Sequence, residues 1–221
     1  LAVKEQLDAM VADAALSSQE AAIGLRRAFA SYFAGALTMP YAPFRTAIDR
    51  LRFDITLIGR RFDSSFEQVC QRLTSMRRPG AEAMPLHFLR TDIAGNISKR
   101  FSASGLRLPR YGGACSRWII HHAFTSPGRI FTQAARLPNG ETFFFVARAN
   151  APRGKEIALE RIHAVMIGCT IDNAHRFAYA DGLNLASPQH LVPIGITCRQ
   201  CSRENCSQRA FDRVAGPARQ P

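Results

Sequence analysis

The sequence predicts an α+β fold: a helical N-terminal segment, an antiparallel-sheet domain, and a short cysteine-rich end. Three observations predict it. Apolar residues recur at helical spacing as far as about residue 80. Beyond Pro85 they fall into short strand-like runs, two of which flank Asn139-Gly140, the dipeptide whose positive-φ tolerance suits a tight hairpin. Cysteines then crowd between Cys198 and Cys206.

Residues 1–18 read as a ragged or frayed lead-in helix. From Gln19 a helix is well marked, with Leu25, Phe29, Phe33 and Leu37 on one face, and Pro40 stops it. Phe44, Ile48 and Leu51 mark a short helix after Pro43. Asp54 caps a helix carrying Ile55, Ile58 and Phe62. Ser64 with Glu67 forms a capping-box pattern for the next helix, which turns Phe66, Val69, Cys70 and Leu73 inward. Arg77-Arg78-Pro79-Gly80 is a boundary. Leu86–Thr91 reads as a strand and Asp92–Arg110 as a basic loop. Trp118–Phe124 reads as a short helix or strand, and Ile130–Arg136 and Thr142–Ala149 as the hairpin strands. Ala164–Ile171 reads as a buried strand. Asp172 is expected to cap a helix through Ala180 that Gly182 ends. The tail after Phe211 is expected to be disordered. The resulting parts are 1–80, 81–197 and 198–221.

No apolar run is long enough to span a bilayer, and the start lacks the basic-then-apolar pattern of an export signal. A cytoplasmic protein is expected. The chain does not begin with Met, so a fragment with a further domain upstream is also expected. Of 221 residues 47% are hydrophobic, and Lys plus Arg number 29 against 17 Asp plus Glu, a net charge of +12. This balance favours an anionic partner such as nucleic acid, anionic lipid or a phosphorylated ligand.

A reducing compartment makes metal ligation the favoured role for clustered thiols. Cys198, Cys201 and Cys206 follow a C-x2-C-x4-C spacing, which lets three thiolates face one centre. A tetrahedral site needs a fourth. Cys115, after Gly112-Gly113, is the best candidate, whereas Cys70 and Cys169 read as core thiols. Four thiolates suit zinc or iron–sulfur, and the spacing fits either.

Between Leu86 and Trp118 lie Arg90, Lys99, Arg100, Arg107, Arg110 and Arg117, opposed only by Asp92. Such a segment can present cations and backbone N–H groups to phosphates. Phe101, Phe88 and Trp118 can add an apolar wall, a combination that suits a nucleotide bearing an acyl tail. His121 and His122 are adjacent and do not chelate jointly. No HExxH, GxSxG or P-loop occurs, and carboxylates form no evident catalytic pair after residue 81, so an enzyme is not expected. Ile55–Leu73 scans like a helix-turn-helix whose second helix turns Gln68, Gln71 and Arg72 outward.

Four stretches carry a family resemblance: Ala94-Gly-Asn-Ile-Ser-Lys-Arg-Phe-Ser-Ala103, Pro109-Arg-Tyr-Gly-Gly-Ala-Cys115, Ala180-Asp-Gly-Leu183 and Pro193-Ile-Gly-Ile-Thr-Cys198. They resemble the short-chain fatty-acyl regulators, which control propionate, acetate and related acyl-CoA metabolism, over roughly residues 20–212. The resemblance implies a GAF/PAS-like ligand domain behind a remnant of a zincin-like peptidase domain, short-chain acyl-CoA as effector, and for some members a [4Fe–4S] cluster. Its ligands here would be Cys115, Cys198, Cys201 and Cys206, with zinc as the alternative metal. Phe33-Ala-Gly-Ala-Leu-Thr-Met-Pro40 resembles the stretch after the peptidase metal helix, which is missing here together with its HExxH, so residues 54–78 become the tail of that region. Operator DNA would be met by a helix-turn-helix upstream, in a homodimer. Lys99, Arg100, Arg107 and Arg110 are the cations assigned to the CoA phosphates, with Phe101 and Trp118 as apolar wall. One departure stands out: Ser116-Arg117 follows Cys115, where family members often carry Pro-Leu. A zinc-stabilised DNA-binding module and an acyl-CoA-processing enzyme are the rival readings.

Overall fold

The computed structural model describes residues 2–109, 113–150, 162–185 and 187–214. Five helices come first: α1 (Ala2–Asp13), α2 (Gln19–Thr38), α3 (Tyr41–Arg50), α4 (Ile55–Arg61) and α5 (Phe66–Thr74). Six strands follow: β1 (His87–Asp92), β2 (Ile97–Ser102), β3 (Phe131–Arg136), β4 (Thr142–Ala149), β5 (His163–Thr170) and β6 (Val192–Pro193), with a one-turn helix α6 (Ile119–His122) before β3. They form one sheet in the order β2-β1-β5-β4-β3-β6, antiparallel except for the short β3–β6 pair. Two hairpins flank the central β5, an open arrangement of the GAF/PAS-like kind expected. The fold is α+β, helices first.

Alternation along the strands gives the sheet two apolar faces. Phe88, Phe144, Val146, Val165, Ile167 and Cys169 pack against Phe44, Ile48, Ile55, Ile58, Val69 and Leu73 of α3–α5. Cys70 is also buried in this core. The opposite face carries Leu89, Phe143, Phe145, Ala147 and Met166, covered by Trp118, Ile120 and Ile194.

Several helix signals act as expected. The Asp54 carboxylate accepts the Leu57 N–H at 2.9 Å and starts α4. The capping box lies one residue later than expected: Ser65 Oγ accepts from Gln68 N–H and the Gln68 side chain accepts from Ser65 N–H. Ser64 is occupied in ending α4, its N–H reaching Gly59 O at 2.9 Å. Residues 2–13 are helical, but α2 buries none of its residues; Phe33 and Leu37 remain 37% and 64% exposed, and α2 leans chiefly on α1 and α5.

Two further expectations are corrected. The basic loop contains β2, whose Ile97, Lys99 and Phe101 face inward in alternation with Ser98, Arg100 and Ser102; the polar mixture hides the two-residue period. Its turn closes when Asp92 accepts from both the backbone and side-chain N–H groups of Asn96, with Gly95 at φ +82°. The expected helix from Asp172 is instead two 3-10 segments, Ile171–Arg176 and Ala178–Ala180, the first preceded by Thr170 with no side-chain cap. Gly182, at φ +75°, follows them. The Asn139-Gly140 hairpin forms as predicted, Gly140 at φ +91°. The expected disorder falls largely on residues 215–221, outside the described residues.

Candidate metal centre and ligand site

Cys115, Cys198, Cys201 and Cys206 line one pocket, although Cys115 is more than eighty residues from the others in sequence. Backbone contacts join the two segments. Cys115 N–H donates to Ile196 O at 2.9 Å, and Gly195 N–H donates to Cys115 Sγ at 3.3 Å. Trp118, buried under Phe145, donates its indole N–H to Gly195 O at 2.8 Å. Ser116 Oγ reaches Gln208 O at 3.0 Å. Cys198–Gln200 forms a 3-10 turn closed by Cys201 N–H on Cys198 O, so the C-x2-C pair is set by local backbone geometry. Burial pushes the Cys115 thiol up, while N–H donors from Gly195 and Arg117 oppose that shift.

Three features of this pocket fit a thiolate-bound metal group. All four donors are sulfur, which suits zinc or iron–sulfur and disfavours hard cations. Gly195 gives the space: a Cβ there would lie 2.8 Å from Cys201 Sγ. Arg117, Arg203 and Arg209 line the same pocket, and among the described residues none of them pairs with a carboxylate. Four thiolates around a dication carry two net negative charges, which these guanidiniums offset. Arg209 also donates to Cys198 O at 3.2 Å and Arg203 to Ile194 O at 3.1 Å, tying charge to loop shape. The free space between the thiols is small, about 10 Å³. Among the described residues no three His, Cys, Asp or Glu side chains stand ready to hold an ion. Cys115, Cys198, Cys201 and Cys206 are the residues that would hold such a centre.

The residues expected to hold a phosphorylated ligand do not share one surface. Lys99 Nζ lies 3.0 Å from Glu67, which also receives Arg90 at 2.9 Å and Gln71 at 2.7 Å. That cluster pins α5 to the β1–β2 hairpin. Phe101 packs with the helix-side core beneath Arg77. Trp118 is buried on the opposite face. Arg100 donates to Pro109 O at 2.8 Å and Arg107 is exposed. Arg110 lies outside the described residues. The helix-turn-helix pattern is also accounted for: Gln68 is spent in the capping box, Gln71 on Glu67, and Arg72 is buried, donating to Met39 O at 3.0 Å between Tyr32 and Tyr41. Sequence reading missed Arg203 and Arg209, whose only signal was their position among the cysteines.

Residues 75–219 match the family described as short-chain fatty acyl coenzyme A regulator, C-terminal. The chain belongs to this family. Residues 5–74 match the IrrE N-terminal-like domain. Among curated proteins, the chain is 44% identical over 200 residues to the HTH-type transcriptional regulator PrpR of Mycobacterium tuberculosis, covering 90% of this chain and 41% of that one. It is 43% identical over 182 residues to the propionyl-CoA carboxylase regulator of Cereibacter sphaeroides, covering 82% and 39%. A solved Mycobacterium tuberculosis transcriptional regulator superposes with a TM-score of 0.91 at 41% identity, over 98% of this chain and 66% of that one. The chain thus spans about two fifths of the length of the curated relatives it matches. Those relatives are regulators by name, in keeping with a regulatory and not an enzymatic family. Among the described residues no helix is long and apolar enough to cross a membrane.

Proposed function

We propose that this chain is the ligand-sensing part of a cytoplasmic, homodimeric transcription regulator that binds a short-chain acyl-CoA and carries a [4Fe–4S] cluster on Cys115, Cys198, Cys201 and Cys206. Convergence of four thiols from two distant segments on one arginine-ringed pocket is the observation that carries this reading. Bound there, a cluster would supply redox and oxygen sensitivity. The protein's own residues do the rest. Gly195 N–H and the guanidiniums hold negative sulfur, and Trp118 locks the Cys115 segment to the 194–196 segment. Ile194 N–H on Arg136 O couples that segment to β3. Loss of the cluster would therefore loosen the sheet face opposite the helices. Operator contact is proposed to fall to a helix-turn-helix, the element in PrpR's name, and not to α4–α5, whose Gln68, Gln71 and Arg72 are already engaged.

Calorimetric titration of the anaerobically purified chain with propionyl-CoA tests the sensor reading. Saturable binding with the thioester intact is expected. Absence of binding overturns it, release of free CoA thiol favours an acyl-CoA-processing enzyme, and tight, salt-sensitive operator binding by this chain alone favours a zinc-stabilised DNA-binding module.

A further inference from the structure

Beside the thiol pocket, and sharing Arg117, Pro193, Arg203 and Cys206 with it, lies a second cavity of about 440 Å³. Its polar lining includes the Ser202 hydroxyl, the Asn205 amide and two guanidiniums, against one carboxylate, the exposed Glu204. The two arginines differ. Arg203 spends Nε on Ile194 O at 3.1 Å and Nη2 on Arg136 O at 2.7 Å, so its fork is committed to the backbone. Arg117 Nε is buried and has no acceptor among the described residues. The rest of its guanidinium belongs to a side chain that lines the cavity and pairs with no carboxylate among the described residues, so an oxyanion there would meet an uncommitted cation able to form charge-assisted bonds.

A separate groove of about 280 Å³ is lined by residues close in sequence to two that line this cavity. Ile119 and Val192 line it, two residues from Arg117 and next to Pro193, and Ala134, Leu183 and Leu185 make it largely apolar. Gln133 bridges the two hollows: its side-chain oxygen accepts Ile119 N–H at 3.1 Å and its amide donates to Arg117 O at 2.9 Å.

We propose that the cavity beside Cys206 is a phosphoryl-anion site built on Arg117, so that an anion is read directly against the thiol pocket. It lies at the β6 edge of the sheet, away from Lys99 and Arg100 on β2. The phosphoryl group is either free phosphate or a phosphate of a ligand whose apolar arm lies in the groove. The second source rests on the acyl-CoA reading; the site itself does not.

Titrate the full chain, in buffer free of phosphate and sulfate, with sodium phosphate, CoA and dephospho-CoA, for wild type, Arg117→Leu, Arg117→Lys and the Arg100→Ala/Arg107→Ala double variant. Arg117 is half-buried and pairs with no carboxylate among the described residues, so Arg117→Leu is expected to fold, and circular dichroism checks it. Saturable phosphate binding is expected, weakened about tenfold or more in Arg117→Leu, partly restored in Arg117→Lys, and unchanged in the double variant. CoA binding well above dephospho-CoA, with the gap closed by Arg117→Leu, identifies the 3′-phosphate; equal binding of the two, weakened alike by Arg117→Leu, identifies their shared diphosphate; Arg117-dependent binding of phosphate but of neither nucleotide identifies free phosphate. No saturable phosphate binding, binding indifferent to Arg117, or binding that follows Arg100 and Arg107 overturns the site. CoA binding with phosphate binding indifferent to Arg117 sinks this inference and leaves the acyl-CoA reading standing. Phosphate binding without any acyl-CoA binding does the reverse.

Discussion

The two faces of the sheet are held by different forces. The helix face buries a broad aliphatic and aromatic cluster from α3–α5 and strands β1, β4 and β5, and the ion cluster around Glu67 lies at its rim. The opposite face is closed by Trp118, Ile120 and Ile194, and beyond them by a loop held through backbone hydrogen bonds, arginine-to-carbonyl bonds and four thiols. Apolar burial stabilises the first face unconditionally. The second face has its own apolar cluster, and only the loop beyond it would depend on the proposed metal group in the sulfur pocket. A sensor of the proposed kind would use such a division: a core that keeps the fold, and a loop whose order depends on a bound group.

Mutations should separate the two faces, and the largest effect belongs to the helix face. Phe144→Ala removes a fully buried ring between the sheet and Phe177 and should cost about 3–5 kcal/mol in urea unfolding, with no direct effect on thiol chemistry. Next comes Gly168→Ala, in the central strand. A Cβ there would meet Phe144 O at 2.0 Å and His87 Nε2 at 2.5 Å, contacts that only backbone movement relieves. A loss of about 3 kcal/mol or more is expected by the same assay.

Acid should act on the thiol face through His87. Its ring is fully buried against Phe143 and Phe145, Nδ1 meets Ser104 Oγ at 2.8 Å and Nε2 has no partner, so burial pushes its pKa from 6.5 down to about 3. The folded state therefore favours the neutral ring. Its stability is fully present above pH 6.5 and is lost as pH falls from there toward 3, by about 2 kcal/mol at pH 5. His87→Gln should flatten that part of a stability–pH curve. The smallest effect on global stability should come from Cys201→Ser. Compared as metal-free proteins, mutant and wild type should differ by less than about 1 kcal/mol, yet the mutant should fail to take up metal and be clipped by protease between β6 and the C-terminus.

Legibility followed the same division. Helices α3–α5 and the β3–β4 hairpin were readable because burial on one face imposes a period and Asn-Gly imposes a turn. The four thiols were readable as a set, since chemistry limits what can complete C-x2-C-x4-C. Strand β2 was not, because its outward residues are serine and arginine and its inward Lys99 hides its role until Glu67 of a distant helix is placed beside it. The pairing of Lys99 with Glu67 and of Arg100 with Pro109 O was not readable for a related reason: charge along the chain does not say which face of which strand carries it. Arg203 and Arg209 act through carbonyls remote in sequence or across a loop, which no local pattern reports.

Iron, zinc and sulfide analysis of the anaerobically purified chain, with its visible spectrum, tests the central claim most directly. About four irons and four sulfides per chain, with broad thiolate-to-iron absorption that disappears in Cys115→Ser, is the predicted result. One zinc per chain, or a metal-free protein whose four thiols all react with alkylating reagent and reconstitute no cluster, would contradict it.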